Sequence, residues 1–125
     1  MLNFSVSFKP GIPIYKQVVY AVTKAIVSGQ LSAGDKFPSV REISRELKIN
    51  PNTVQKVINS LVQAKLLEIR PGIGSVVAEI SKAPREQREH ILQTEIERLV
   101  VESKKLSIEK KDILDAINRH WDDVT

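Results

Sequence analysis

Residues 51–64 of the chain, expected to form one helix, read PNTVQKVINSLVQA. Asn52, Gln55, Lys56, Asn59 and Gln63 follow one another at steps of three, one, three and four, so on a helix they share one face. Apart from Lys56 these side chains are amides, and an amide presents a donor and an acceptor side by side. That pair matches the N6 and N7 edge of adenine in the major groove of DNA, while a lysine can meet guanine or a phosphate. The face holds no acid, whereas a plainly solvated helix face usually carries Glu–Lys pairs four residues apart. The opposite face, Val54, Val57, Ile58 and Leu61, is an apolar stripe for a core.

The elements that must position this face can be read outward from it. Asn50 suits the N-cap and Pro51 the first helical position, where a missing N–H costs nothing. Only Lys48, Ile49 and Asn50 separate this helix from a shorter one in PSVREISREL. There, Ser39 and Glu42 have the spacing of a capping box, and Ile43 and Leu47 are the buried residues. Two helices joined so tightly make a helix-turn-helix candidate. Upstream, residues 1–13 look extended. Ile14, Val18, Val22, Ala25 and Ile26 then form one helical face, closed by Gly29, and LSAGDKF follows as a turn.

Beyond Ala64 the period shortens to that of strands. LLEIR and SVVAEI flank PGIG, whose glycines suit a hairpin turn, giving a wing at about 67–79. SKAPRE has the composition of a hinge. Residues 85–105 are expected to be helical, with Leu92, Ile96, Leu99, Ser103 and Leu106 as a heptad-like seam. Ser107 could cap a last helix whose apolar residues are Ile113, Leu114, Ile117 and Trp121.

The fold class is therefore mainly α with a small β-hairpin. A winged helix-turn-helix DNA-binding domain is expected at 1–80, and a C-terminal two-helix dimerisation segment at 81–125. Charge follows the same division. Residues 1–80 hold seven Lys and three Arg against five acids, while residues 81–125 hold nine cations against ten acids. The basic excess thus lies wholly in the part that would meet a polyanion. Arg41 and Ser39 open the first helix of the pair, where free amides favour phosphate. Arg70 precedes the wing turn, where Gly72 and Gly74 let a backbone approach closely.

Other chemistries find no support. The chain of 125 residues has no cysteine, which excludes disulfides and thiolate sites. His90 and His120 stand on separate expected helices without convergent partners, so neither a metal nor another cofactor is expected. Ser, His and Asp residues form no triad order and no phosphate loop follows a strand, so an enzyme is not expected. No run approaches a membrane span and the start lacks a secretory pattern, which makes the cytoplasm the expected location.

The segment GDKFPSVREISRELKINPNTVQKVINSLVQAKLLEIRPGIGSVV closely resembles the DNA-binding domain of the GntR family of bacterial transcription regulators. Its PSxRE stretch and glycine-bearing wing match, and the NPNTV entrance with a short tail of two helices is similar to the YtrA subfamily. The resemblance covers residues 12–78 well and residues 83–124 by length and pattern only. It implies DNA contacts at Arg41, at Asn50, Asn52 and Thr53, at Gln55 and Lys56, and at the wing-tip Gly72 and Gly74. The chain departs from many relatives in having Pro51 and Gln55 where they carry arginines. Lys65 replaces a frequent glycine, and Phe37 replaces a leucine.

Larger relatives carry an effector-binding domain well over a hundred residues long. The two helices expected at 81–125 cannot enclose a pocket of that kind, so any small-molecule effector is left undefined. Their apolar stripes call for burial, and a symmetric second copy is the economical cover. The sequence thus points to a homodimeric regulator, more simply a repressor, on a palindromic double-stranded operator. The alternative is a winged-helix protein–protein adaptor, which would have no need of the acid-free amide face.

Overall fold

A computed structural model describes residues 2–81 and 83–124, in two compact units, Met1–Ile80 and Ser81–Thr125. The first unit runs α1 (Ile14–Val27), α2 (Val40–Leu47), α3 (Pro51–Gln63), β1 (Leu67–Arg70) and β2 (Gly74–Val77). Its core is made where the apolar stripes of the three helices meet the inner face of the hairpin. Val18, Val22, Ile43, Val54, Leu61, Leu67 and Val77 are all buried there. The expected stripe of α3 is fully used, with Val54, Val57, Ile58 and Leu61 at most 4% exposed. In α1 one position differs: Ile14 is exposed and Tyr15 instead packs against the core.

Local chemistry accounts for the helix ends. The Ser39 hydroxyl accepts from Glu42 N–H at 3.2 Å while the Glu42 carboxylate accepts from Ser39 N–H at 3.4 Å, completing the capping box. Asn50 Oδ1 accepts from Asn52 N–H at 2.8 Å and Pro51 opens α3. Lys48 ends α2 in the left-handed region at φ 55°. Lys65, at φ 63°, does the same just after α3. The glycine that Lys65 replaces in many relatives would adopt that conformation without steric cost.

The segment preceding α2, expected as a plain turn, also pairs with the wing. Phe37 N–H donates to Ser75 O, and Val77 N–H donates to Asp35 O, both at 2.8 Å. Lys36 and Val76 form the bridge between them, so β2 is paired on both edges. This ties α2's entrance to the wing. The N-terminal arm is pinned as well. Phe4 stacks on Phe37 with ring centroids 5.7 Å apart. Gln17 holds Lys9 and Ile12 through three side-chain hydrogen bonds of 2.8–2.9 Å.

The second unit contains α4 (Arg85–Glu89), a π-helical turn (His90–Glu95), α5 (Ile96–Lys105) and α6 (Lys110–Val124). The expectation of regular helix over 85–105 is corrected by the π turn. Its wider winding brings His90 Nε2 to 3.4 Å from Glu95 Oε1, five residues on. The four-residue step from Leu92 to Ile96 crosses this π winding, whereas Ile96, Leu99 and Ser103 lie within α5. Leu92 is exposed, Leu106 lies past the end of α5, and Ser103 is the buried member of the set. Ser103 Oγ donates to Leu99 O at 2.7 Å. Ser107 does not cap α6. It adopts φ 59° and donates its N–H to Lys104 O, closing α5, while Glu109 O accepts the first bonds of α6. The expected hinge falls at the boundary between the units, and its Lys82 lies outside the described residues.

Candidate nucleic-acid interface

The exposed face of α3 carries Asn52, Gln55, Lys56, Asn59 and Gln63, all solvent-accessible. Two of them are linked. Gln55 Nε2 donates to Asn59 Oδ1 at 2.9 Å, one turn along the helix. The bond leaves Gln55 Oε1 and one N–H, and both Asn59 N–H groups, for an outside partner. Thr53, half-buried, uses its N–H on Asn50 O in the first turn.

Lys56 differs from its neighbours. Its Nζ lies 3.8 Å from the centroid of the Tyr15 ring, which α1 supplies. That distance is well within cation–π range. The periodicity of α3 placed Lys56 on the amide face, but it could not foresee a ring brought from 41 positions earlier in the chain.

Ser39 and Asn50 are largely spent on the backbone. The Ser39 hydroxyl accepts from Glu42 N–H and donates to Glu42 Oε1 at 3.3 Å, which uses its donor and one of its two acceptor sites. Asn50 gives its oxygen to Asn52 N–H and keeps its amide N–H groups. Arg41 is exposed in the first turn of α2, and among the described residues its guanidinium forms no ion pair, neither with Glu42 nor with Glu46. Five-donor guanidinium groups in that state suit phosphate oxygens.

The wing turn is built by PGIG. Ile73 N–H donates to Arg70 O at 3.0 Å across Pro71 and Gly72, and Gly72 has φ 78°, the arrangement of a type II turn. Arg70 pairs with Glu68 at 3.0 Å, both side chains about half exposed. Such a surface pair is worth little, roughly 0–1 kcal/mol, so a phosphate can replace the carboxylate at small cost. An open cleft of about 350 Å³ lies between the wing and the helices, with Ser39, Glu42, Gln55, Ile69 and Ile73 among its walls. Gly74, at φ 106°, also lines it.

A second helix with an exposed amide face, a tight turn, and a paired wing behind it define a winged helix-turn-helix module. The sequence profile described as "Bacterial regulatory proteins, gntR family" matches residues 14–77, and the chain belongs to that family of transcription regulators. It is similar to the HTH-type transcriptional regulator YhcF of Bacillus subtilis, with 32% identity over 88% of this chain and 91% of that one. It is also similar to the HTH-type transcriptional repressor YtrA of the same organism, at 29% identity over 78% and 75% of the two chains. Within its family the chain is thus YtrA-like. Among solved structures, a GntR family transcriptional regulator from Listeria monocytogenes superposes with a TM-score of 0.68. The identity is 31%, over 90% of this chain and 98% of that one. The AraR DNA-binding domain in complex with operator ORX1 superposes at 0.54, with 28% identity over 59% and 95% of the chains.

No helix among the described residues is long and apolar enough to cross a membrane.

Proposed function

We propose that this regulator is a homodimeric repressor that binds a palindromic operator in the cytoplasm. The single observation that carries the reading is the exposed, acid-free face of α3, with Gln55 and Asn59 locked in one amide array. In this reading α3 enters the major groove. Asn52, Gln55 and Asn59 meet base edges, while Arg41, Lys56 and Arg70 hold the backbone. Repression follows from occupying a promoter that polymerase needs. The name of the YtrA relative, a repressor, and the operator complex of AraR support the DNA-binding part of this assignment.

Dimerisation is supported by the apolar side chains that the second unit leaves in solvent, among them Leu92, Ile96, Leu99, Leu106, Leu114, Ile117 and Trp121, with Ile113 half-buried beside them. Apolar surface gathered on so small a unit is characteristic of an interface, and a second copy presents the same surface to it. Selection of bound sequences from a random duplex pool tests the whole reading. The expected product is an inverted repeat with half-sites a whole number of helical turns apart, each turn about 34–36 Å. An unpaired half-site would overturn the dimeric operator, and recovery of no sequence preference would overturn specific binding.

A further inference from the structure

We propose that Tyr15 is a positioning residue that assigns Lys56 to the DNA backbone and withholds it from the base edges. The inference rests on the DNA-binding reading above. The Tyr15 ring is half-buried and packed against the core, in the first turn of α1, next to the arm that Gln17 clasps. It is therefore a fixed platform. A lysine otherwise samples many rotamers, and here the ring face draws its ammonium to one place, 3.8 Å from the centroid.

That place is set by α1, which flanks α3, while the base-reading array of Gln55 and Asn59 is closed within α3 itself. The ring face takes at least one of the ammonium's N–H groups and leaves the outward donors for an oxygen, which can approach without displacing the aromatic partner. The phosphate of the DNA backbone is the anion that an ammonium on this surface would meet. The division of labour is then explicit: amides read bases, and the Tyr15–Lys56 pair grips phosphate.

The test compares Lys56→Met, Tyr15→Leu and Tyr15→Phe with the wild-type chain, on the selected operator and on random duplex, across a range of salt. Lys56→Met should weaken both duplexes by the same factor and lower the salt slope by about 0.9, the value for one lost phosphate contact. Tyr15→Phe, which keeps the ring, should match wild type. Tyr15→Leu should weaken both duplexes and gain a guanine preference at one position, because a released Lys56 can reach O6 and N7. Loss of preference at a single base with Lys56→Met, at unchanged salt slope, would overturn the proposal while leaving specific DNA binding intact. Equal, wild-type behaviour of Tyr15→Leu and Tyr15→Phe would overturn it too. Lys56 is exposed, so its variant keeps the fold even if Tyr15→Leu loosens α1. A wild-type chain that binds no duplex at low salt overturns both this proposal and the DNA-binding reading.

Discussion

Gln55 and Asn59 are joined side chain to side chain, 2.9 Å apart on the exposed face of α3, with the glutamine donating. The bond orders two flexible amides before any partner arrives, and it decides which of their polar atoms face outward. Gln55 keeps an acceptor and a donor, the pair that adenine's edge requires.

Removing that array should therefore cost discrimination. Gln55→Ala is expected to weaken operator binding by roughly 10- to 100-fold, on the order of 1–3 kcal/mol, with little change on random duplex. Fluorescence anisotropy at one fixed salt concentration checks it. Equal loss on both duplexes would remove Gln55 from base reading.

Arg41 should behave in the opposite way. Its guanidinium is exposed without an ion pair among the described residues. Arg41→Ala should weaken operator and random DNA together and reduce the salt slope by about 0.9. A selective loss on the operator would mark Arg41 as a base reader.

The capping box makes a prediction about stability. Ser39→Ala removes the hydroxyl that takes Glu42 N–H. Urea unfolding should show a loss of about 1 kcal/mol at unchanged m-value. Asn50→Ala should cost a similar amount, since Asn50 Oδ1 caps α3.

Lys65 offers the reverse change. At φ 63° it occupies backbone space that costs a side-chain residue about 1–2 kcal/mol. Lys65→Gly should relieve that strain and return part of the gain as unfolded-state entropy, leaving about 0.5–1 kcal/mol of added stability. A midpoint in urea that falls instead of rising would refute this account.

The dimer reading is checked by mass. Leu99 and Ile117, each a little under two-fifths exposed, lie on α5 and α6. Changing both to Lys should convert a dimer to a monomer in sedimentation equilibrium, with helicity retained. A wild-type chain already monomeric at tens of micromolar would end the proposal.

Much of this was legible because it is local. Ser39 with Glu42, and Asn50 with Pro51, act across three residues or fewer, and α3's stripe repeats within its own turns. PGIG encodes a turn by the φ that only Gly72 supplies at no cost. Misreadings fell where the decisive partner lay elsewhere. Asp35–Phe37 became strand-like because β2 offered its free edge. The π turn at His90–Glu95 changed the winding of a segment whose periodicity reads as ordinary helix.

The sequence by itself determined the class of module: the order of elements, their caps, and an amide face opposite an apolar one. These follow from spacing and side-chain chemistry along a single helix or turn. Only the tertiary structure decided what each polar residue on that face was free to do. Lys56 could not be separated from its amide neighbours until α1 brought Tyr15 over its ammonium. Periodicity reports the direction in which a side chain leaves its helix, whereas packing settles which group it meets there.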